Sequence, residues 1–184
     1  MKKNKYTVVL AVSILVISIV VGYIYGINNP YDVSEYVKNI SPSFYLFDHA
    51  LVITLFFVST LSILGVIIAG FYIGFSGVSI GFIISSFFKT YGLKGILFSL
   101  INIVINKVFF TIVIIYLFCV GVSYAKKCLS NIVGVSTDYF VMLIKPLIKK
   151  YILIFIFVII YDILNYFLIY KISIYFASLL KLVW

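Results

Sequence analysis

The most constraining feature of this sequence is a run of forty residues, from His49 to Phe88, that contains no Lys, Arg, Asp or Glu. As a single helix the run would be about 60 Å long, twice the thickness of a bilayer core. It must therefore fold back once, and we expect the bend in the glycine-rich centre between Gly65 and Gly77. The run predicts two membrane spans, near 47–66 and near 72–88.

The composition excludes a soluble globular enzyme, a disordered chain and a disulfide-rich secreted scaffold. Of the 184 residues, 65% are hydrophobic and 10% charged, whereas soluble domains are about 45–50% apolar and about 25% charged. Three further apolar runs predict spans near 6–27, 108–125 and 151–170. We expect a single all-α membrane domain over residues 1–184, a polytopic helical bundle of about five transmembrane helices plus an interfacial or re-entrant helix.

Two apolar segments lie outside these five spans. A turn marked by Lys89, Gly92 and Lys94 precedes residues 95–106, which form a re-entrant helix, an interfacial helix or an extension of the fourth span. The tail from 171 to 184 has Lys and Trp at its ends, as interfacial helices do. A sixth span formed by this tail is the alternative.

The charges predict the orientation in the membrane. All fourteen basic residues are lysines and the net charge is +9, but the lysines stand in short groups between apolar runs, which indicates membrane topology rather than nucleic-acid binding. The segment from Asn28 to Asp48 has more acids than lysines, so we place it outside the cell. The positive-inside rule then puts the N-terminus in the cytoplasm, with the first span as an uncleaved anchor. A reduced pair of Cys119 and Cys128 fits a bacterial inner membrane.

Small residues recur four positions apart in the membrane segments. In lipid such residues let two helix backbones approach closely, and this contact replaces the hydrophobic effect as the source of association. The spacing predicts helix packing, either within the bundle or with a partner or second copy. The residues are Gly22, Gly26, Gly65, Ala69, Gly70, Gly74, Gly77 and Gly81.

Polar side chains inside the predicted spans form the sharpest local feature. Asn102 and Asn106 share a helix face, with Lys107 next to them, and Asp162 and Asn165 share another. Ionisable residues at such depth are costly and usually pair, so we predict a Lys107–Asp162 pair between the fourth and fifth spans. The alternative is that each side chain reaches separately toward the membrane surface.

The sequence offers no set of side chains for catalysis. Gly74-Phe75-Ser76-Gly77 matches the GxSG motif of rhomboid proteases, but that chemistry needs a later His, and the single His, His49, precedes the motif. We expect Asp48 and His49 to form a solvated pair at the membrane edge. Neither the acids nor Cys119 and Cys128 have the spacing of a metal or redox site. We therefore predict no catalytic residue, no metal and no cofactor.

The order of these segments resembles the stage II sporulation protein M family. The likeness rests on Gly77-Val78-Ser79-Ile80-Gly81-Phe82, on Tyr91-Gly92-Leu93-Lys94-Gly95 and on an Asn-containing helix that ends at Lys126-Lys127. Asp48-His49 stands where family members often have Asn, and Ile105-Asn106 stands where they often have Pro and a polar residue.

The resemblance implies a multi-pass, non-catalytic accessory or scaffold subunit, as in the complex that degrades peptidoglycan during engulfment. Relatives of similar length accompany ABC transporters in gene clusters for circular bacteriocins, which implies an alternative role in maturation, secretion or immunity. A small transporter or channel that uses Asn106, Lys107 and Asp162 is a further alternative. The expected partners are lipid, co-encoded membrane proteins or ABC transporter subunits and a second copy, but no nucleic acid.

Overall fold

The computed structural model describes residues 5–38, 45–60, 63–101, 105–130, 137–180 and 182, and these are almost entirely helical, with no strand among them. The prediction of an all-α bundle is confirmed. The helices are α1 (Lys5–Asn28), α2 (Ser34–Lys38), α3 (Leu46–Thr60), α4 (Ile63–Ser99), α5 (Ile105–Ser130), α6 (Thr137–Leu164) and α7 (Tyr170–Leu179), with a π-helical turn at Asn165–Ile169 between the last two.

Four helical stretches are long and apolar enough to cross a membrane, and α3 is a shorter apolar helix. The stretches are Lys5–Asn28, Gly65–Ser99, Asn106–Lys127 and Ile144–Leu179. In the most apolar 18-residue segment of Asn106–Lys127, 56% of the residues are buried inside the protein, whereas the corresponding share for Lys5–Asn28 is 11%. Apolar side chains exposed on this scale require lipid around them. The chain is therefore a membrane protein in which α5 is the central helix and α1 lies at the periphery.

The predicted bend between Gly65 and Gly77 is wrong, because both glycines lie inside α4. α3 ends at Thr60 and α4 begins at Ile63, and the two helices run antiparallel, since Phe56 contacts Tyr72 and Gly65 approaches Ser59. In a membrane protein, glycine is found both where two helices pack closely and where the chain turns. The sequence alone did not distinguish these two roles. The spans predicted near 47–66 and 72–88 correspond to α3 and to the first part of α4.

The turn predicted around Lys89, Gly92 and Lys94 is confirmed. Gly92 has φ 60° and ψ −142°, a conformation that glycine adopts because it lacks a Cβ atom. The ring centroids of Phe87 and Phe98 are 5.5 Å apart, although eleven residues of straight helix rise about 16 Å. The segment after Gly92 therefore folds back along the preceding part of α4.

The segment predicted as 95–106 is described only in part, because Asn102 lies outside the described residues. Its first residues are helical, and Phe98 and Ser99 are fully buried. This burial favours a helix packed by its neighbours over one that lies on the membrane surface.

The described part of the C-terminal tail continues the last membrane helix and forms no separate span. α7 follows α6 through the π-helical turn without a change of direction, since the residues on both sides of the turn keep right-handed helical torsion angles. Ala177 and Leu182 pack in a small cluster with Phe87, Phe98 and Val37. The tail thus extends the last membrane helix to the level of α2 and the Gly92 turn.

Contacts between helices give their relative directions. A Cβ atom on Gly22 would meet Val78, and one on Gly26 would meet Ser85, so α1 and α4 run parallel. His49 contacts Asp162 and Thr60 contacts Tyr151, so α3 and α6 run antiparallel. The main core lies between α3, α4, α5 and α6, and its fully buried members include Phe56, Ile73, Ile114, Leu117 and Val158.

Candidate intramembrane polar site

The most buried ionisable side chain among the described residues belongs to Asp162, which is 1% exposed. Nδ1 of His49, in the first turn of α3, lies 2.9 Å and 3.0 Å from the two carboxylate oxygens of Asp162 on α6. The predicted Lys107–Asp162 pair is therefore wrong. The predicted solvated pair of Asp48 and His49 is also wrong, because the His49 side chain turns inward and keeps only 15% of its surface exposed.

Aromatic rings fix the orientation of His49. Its ring stacks on Phe110 of α5 with centroids 3.8 Å apart and an interplanar angle of 19°, and Tyr45 lies 5.9 Å away. Phe110 is itself held by an edge contact with Tyr72 of α4. The imidazole is thus clamped between a core aromatic ring and a buried carboxylate, which restricts it to one orientation.

The next contact joins α6 to α5. The Tyr161 hydroxyl donates to Oδ1 of Asn106 at 2.8 Å, and the Tyr161 ring stacks on Phe109 with centroids 3.5 Å apart. Because Tyr161 and Asp162 are consecutive, α6 bonds to α5 with one residue and to α3 with the next.

Lys107 extends the same arrangement to α4. Its Nζ donates to Oγ of Ser79 at 2.6 Å. One turn further along the two helices, Ser76 and Thr111 are hydrogen-bonded at 2.6 Å, so the serine of the GxSG motif contacts a threonine. We call the set of His49, Ser79, Asn106, Lys107, Tyr161 and Asp162 the polar belt, since it runs across four helices at one level of the bundle.

The predicted polar residues are partly brought together by this geometry. Asn106, Lys107 and Asp162 belong to the polar belt, Asn102 lies outside the described residues, and Asn165 is buried in the π-helical turn. Sequence reasoning missed His49, Ser79 and Tyr161 as members. The one signal in the sequence for His49 is that a buried Asp162 needs a partner and that the chain has a single His, but Lys107 satisfied the same requirement.

The predicted packing glycines have different roles. Cβ atoms on Gly77 and Gly81 would lie 2.7 Å from Ser18 Cβ and 2.0 Å from the Ile19 carbonyl oxygen, so these glycines let α1 approach α4. Gly74 is looser, at 3.6 Å from Ser18, and Gly65 would meet Ser59 in α3. Gly70 has open space beside it. Gly22 and Gly26 complete the α1–α4 contact, so most of this stripe serves packing within the bundle.

Each bond of the polar belt joins two helices, and the set combines one carboxylate, one imidazole and one ammonium group. Such groups can hold helices in register or exchange protons among themselves. Comparison of the chain with protein-family models, with curated proteins and with solved structures finds no match.

Proposed function

We propose that this chain is a non-catalytic accessory or scaffold subunit of a membrane complex. The observation that carries the proposal is that hydrogen bonds of the polar belt join α3 to α6 and α6 to α5. Polar groups that bond between helices in lipid hold those helices together. This supports a structural role for the most polar part of the bundle.

The outward faces of the helices support the same proposal. In the most apolar 18-residue segments of Ile144–Leu179 and Lys5–Asn28, only 22% and 11% of the residues are buried inside the protein. Broad apolar surfaces therefore face lipid or helices of other proteins. We assign the chain to a bacterial inner membrane with the N-terminus in the cytoplasm, because the lysine distribution favours that orientation.

The resemblance to stage II sporulation protein M supports a role in a peptidoglycan-remodelling complex during sporulation. An accessory role in the maturation or export of a circular bacteriocin, or in immunity to it, rests on the same resemblance. The gene neighbourhood separates them: genes for sporulation hydrolases favour the first role, whereas a bacteriocin precursor gene with an ABC transporter favours the second.

Co-purification tests the accessory role. The tagged chain is expressed with its neighbouring genes, extracted in mild detergent and purified, with a tagged unrelated polytopic protein as control. We expect a co-encoded membrane protein to elute with this chain at a fixed ratio and to be absent from the control. A lone chain that carries out transport or catalysis in proteoliposomes would contradict the proposal.

A small proton-linked transporter is the second candidate, and the buried His49–Asp162 pair favours it because ionisable pairs inside membranes often line proton pathways. Proteoliposomes that contain a pH-sensitive dye test it. Proton flux above that of protein-free vesicles, lost in Asp162→Asn, is the expected result for a transporter. Flux equal to that of empty vesicles excludes this candidate.

A further inference from the structure

Within the part of the chain that the structure describes, the charge of Asp162 in the polar belt is balanced by a neighbouring group, whereas the charge of Lys107 is not. Asp162 is paired with His49, whereas the polar contact of Lys107 among the described residues is the hydroxyl of Ser79. No carboxylate of the described residues lies within ion-pair distance of Lys107 Nζ, since their one ion pair is His49–Asp162. A serine hydroxyl satisfies one donor of the ammonium group but does not neutralise its charge.

The position of Lys107 makes this charge costly. Ser79 follows Val78, which packs against Gly22 of α1, and α1 continues for six more residues to Asn28. Lys107 Nζ therefore lies about 9 Å below the Asn28 end of the α1 span. A lysine within the hydrocarbon region is costly unless it is paired or reaches the surface. Its hydrogen bond to Ser79 directs Nζ toward α4.

The surface of α4 next to Lys107 exposes large aromatic side chains. Phe71 and Phe75 precede Ser79 by eight and four residues, so the three share one helix face. Phe71 is 76% exposed and Phe75 is 74% exposed, and Lys107 is itself only partly buried. An accessible cation thus lies at the end of an exposed aromatic stripe.

We propose that Lys107 and the stripe Phe71–Phe75–Ser79 form the docking site for a transmembrane helix of another protein that carries an Asp or Glu at the depth of Lys107. The carboxylate pairs with Nζ, and apolar side chains one and two turns along the partner helix cover Phe75 and Phe71. Charge complementarity selects this occupant, because a purely apolar helix would leave the ammonium group uncompensated. The inference rests on the proposed accessory function and names the chemistry of the partner.

A designed peptide tests the site without knowledge of the natural partner. The chain is reconstituted in phosphatidylcholine bilayers with a fluorescent Leu/Ala transmembrane peptide that carries one Asp about 9 Å from its outer end, or with the same peptide carrying Asn. Energy transfer to a label on the chain reports association. We expect the Asp peptide to bind at least about tenfold more tightly than the Asn peptide.

Variants of the chain define the specificity. Lys107→Met is expected to remove the preference for Asp, and Lys107→Glu is expected to prefer a peptide with Lys at the same position. Lys89→Met, an exposed lysine near the Gly92 turn, is the matched control and retains the preference of the unmodified chain. Equal binding of the Asp and Asn peptides, as expected if Lys107 pairs with lipid phosphate, would overturn the proposal.

Two further measurements test whether Lys107 is needed for folding and whether the site binds a second copy of the chain. The isolated Lys107→Met chain is expected to be as stable as the unmodified chain or more so, because an uncompensated charge has been removed, and a strong loss of stability would assign Lys107 to folding. Energy transfer between two copies that depends on Lys107 would assign the site to a homo-oligomer. Both outcomes overturn the proposal.

The co-purification experiment separates this inference from the accessory function. If the co-encoded partner elutes with Lys107→Met as well as with the unmodified chain, the accessory function stands and the docking site is refuted. If no partner elutes with either chain while the Asp preference is present, the accessory function fails and the docking chemistry stands.

Discussion

At the scale of single residues, the His49–Asp162 pair combines a carboxylate that is 1% exposed with an imidazole that is 15% exposed. Removing one member of such a pair leaves the other buried and unpaired, which is more costly than removing both. The stack of His49 on Phe110 allows the two contributions to be separated, because a phenyl ring can replace the imidazole without its hydrogen bond.

We expect His49→Phe to lower the free energy of unfolding by about 3–5 kcal/mol, because Asp162 loses its hydrogen-bond donor while the ring stack is retained. Combining it with Asp162→Leu removes the orphaned carboxylate and should recover most of the loss. Unfolding in mixed micelles, followed by circular dichroism during titration with dodecyl sulfate, measures both variants. Additive losses in the double variant would show that the pair is not coupled.

Tyr161→Phe tests the contact between α6 and α5. The variant keeps the ring stack on Phe109 and removes the hydroxyl that donates to Asn106, so we expect a loss of about 1 kcal/mol in the same assay. Tyr116→Phe is the control, because Tyr116 is 48% exposed, and it should change stability by less than about 0.5 kcal/mol. Equal effects would remove Tyr161 from the polar belt.

At the scale of helices, glycine has two separate uses in this chain. Gly77 and Gly81 in the middle of α4 admit the backbone of α1, whereas Gly92 reverses the direction of the chain. The spacing of four residues predicted the first use and the flanking lysines predicted the second. The assignment of a bend to 65–77 failed because glycine spacing alone does not distinguish packing from turning.

Gly81→Ala should separate α1 from α4, because the added Cβ atom would lie 2.0 Å from the Ile19 carbonyl oxygen. Backbone at this distance cannot move without shifting a helix, so we expect a loss of at least about 2 kcal/mol. Gly70→Ala has open space and should leave stability unchanged or raise it by up to about 1 kcal/mol. Thermal unfolding of the two variants in detergent micelles measures the difference in stability. Similar unfolding midpoints would contradict the α1–α4 contact.

Gly92→Ala tests the effect of backbone strain without a steric clash, since a Cβ atom at Gly92 meets nothing within 4 Å. The φ of 60° is unfavourable for any residue with a side chain, so we expect a loss of about 1–3 kcal/mol. Gly92→Asn should behave similarly, because the ψ of −142° lies outside the left-handed helical region in which Asn is tolerated. Unchanged stability of both variants would show that the turn can adopt another conformation.

At the scale of the whole molecule, the contacts place α2, the Gly92 turn and α7 at one end of the bundle. The Tyr36 ring makes an edge contact with Phe87 at 6.2 Å, and Ala177 of α7 lies in the same cluster. Lys127 and Lys150 lie at the opposite end, where both approach the ring of Tyr124. Because the two ends of the bundle are distinct, chemical labelling of residues at each end can test the predicted orientation.

Single cysteines in a chain without Cys119 and Cys128 test the orientation in intact cells. Tyr31→Cys and Lys89→Cys are expected to react with a membrane-impermeant maleimide added outside. Lys127→Cys and Lys149→Cys should react only after the membrane is permeabilised, because the positive-inside rule places them in the cytoplasm. The reverse pattern would overturn the orientation while leaving the fold unchanged.

The sequence by itself determined the class of fold, because 65% hydrophobic and 10% charged residues can be satisfied only by helices in lipid. It also located α1, α5 and the turn at Gly92, because the length of an apolar run and the Gly and Lys residues that interrupt it can be read from neighbouring positions in the sequence. It identified Asn106, Lys107 and Asp162 as groups that need an explanation, because a polar side chain is costly wherever it enters a membrane.

Only the tertiary structure decided which polar groups meet. His49 and Asp162 are 113 positions apart, and their contact depends on which helices are neighbours and on their relative rotation, neither of which follows from periodicity along one helix. The same holds for Lys107, whose Nζ is directed to Ser79 instead of Asp162. Local pattern thus fixes which residues enter the membrane, while the packing of whole helices fixes which polar groups are paired.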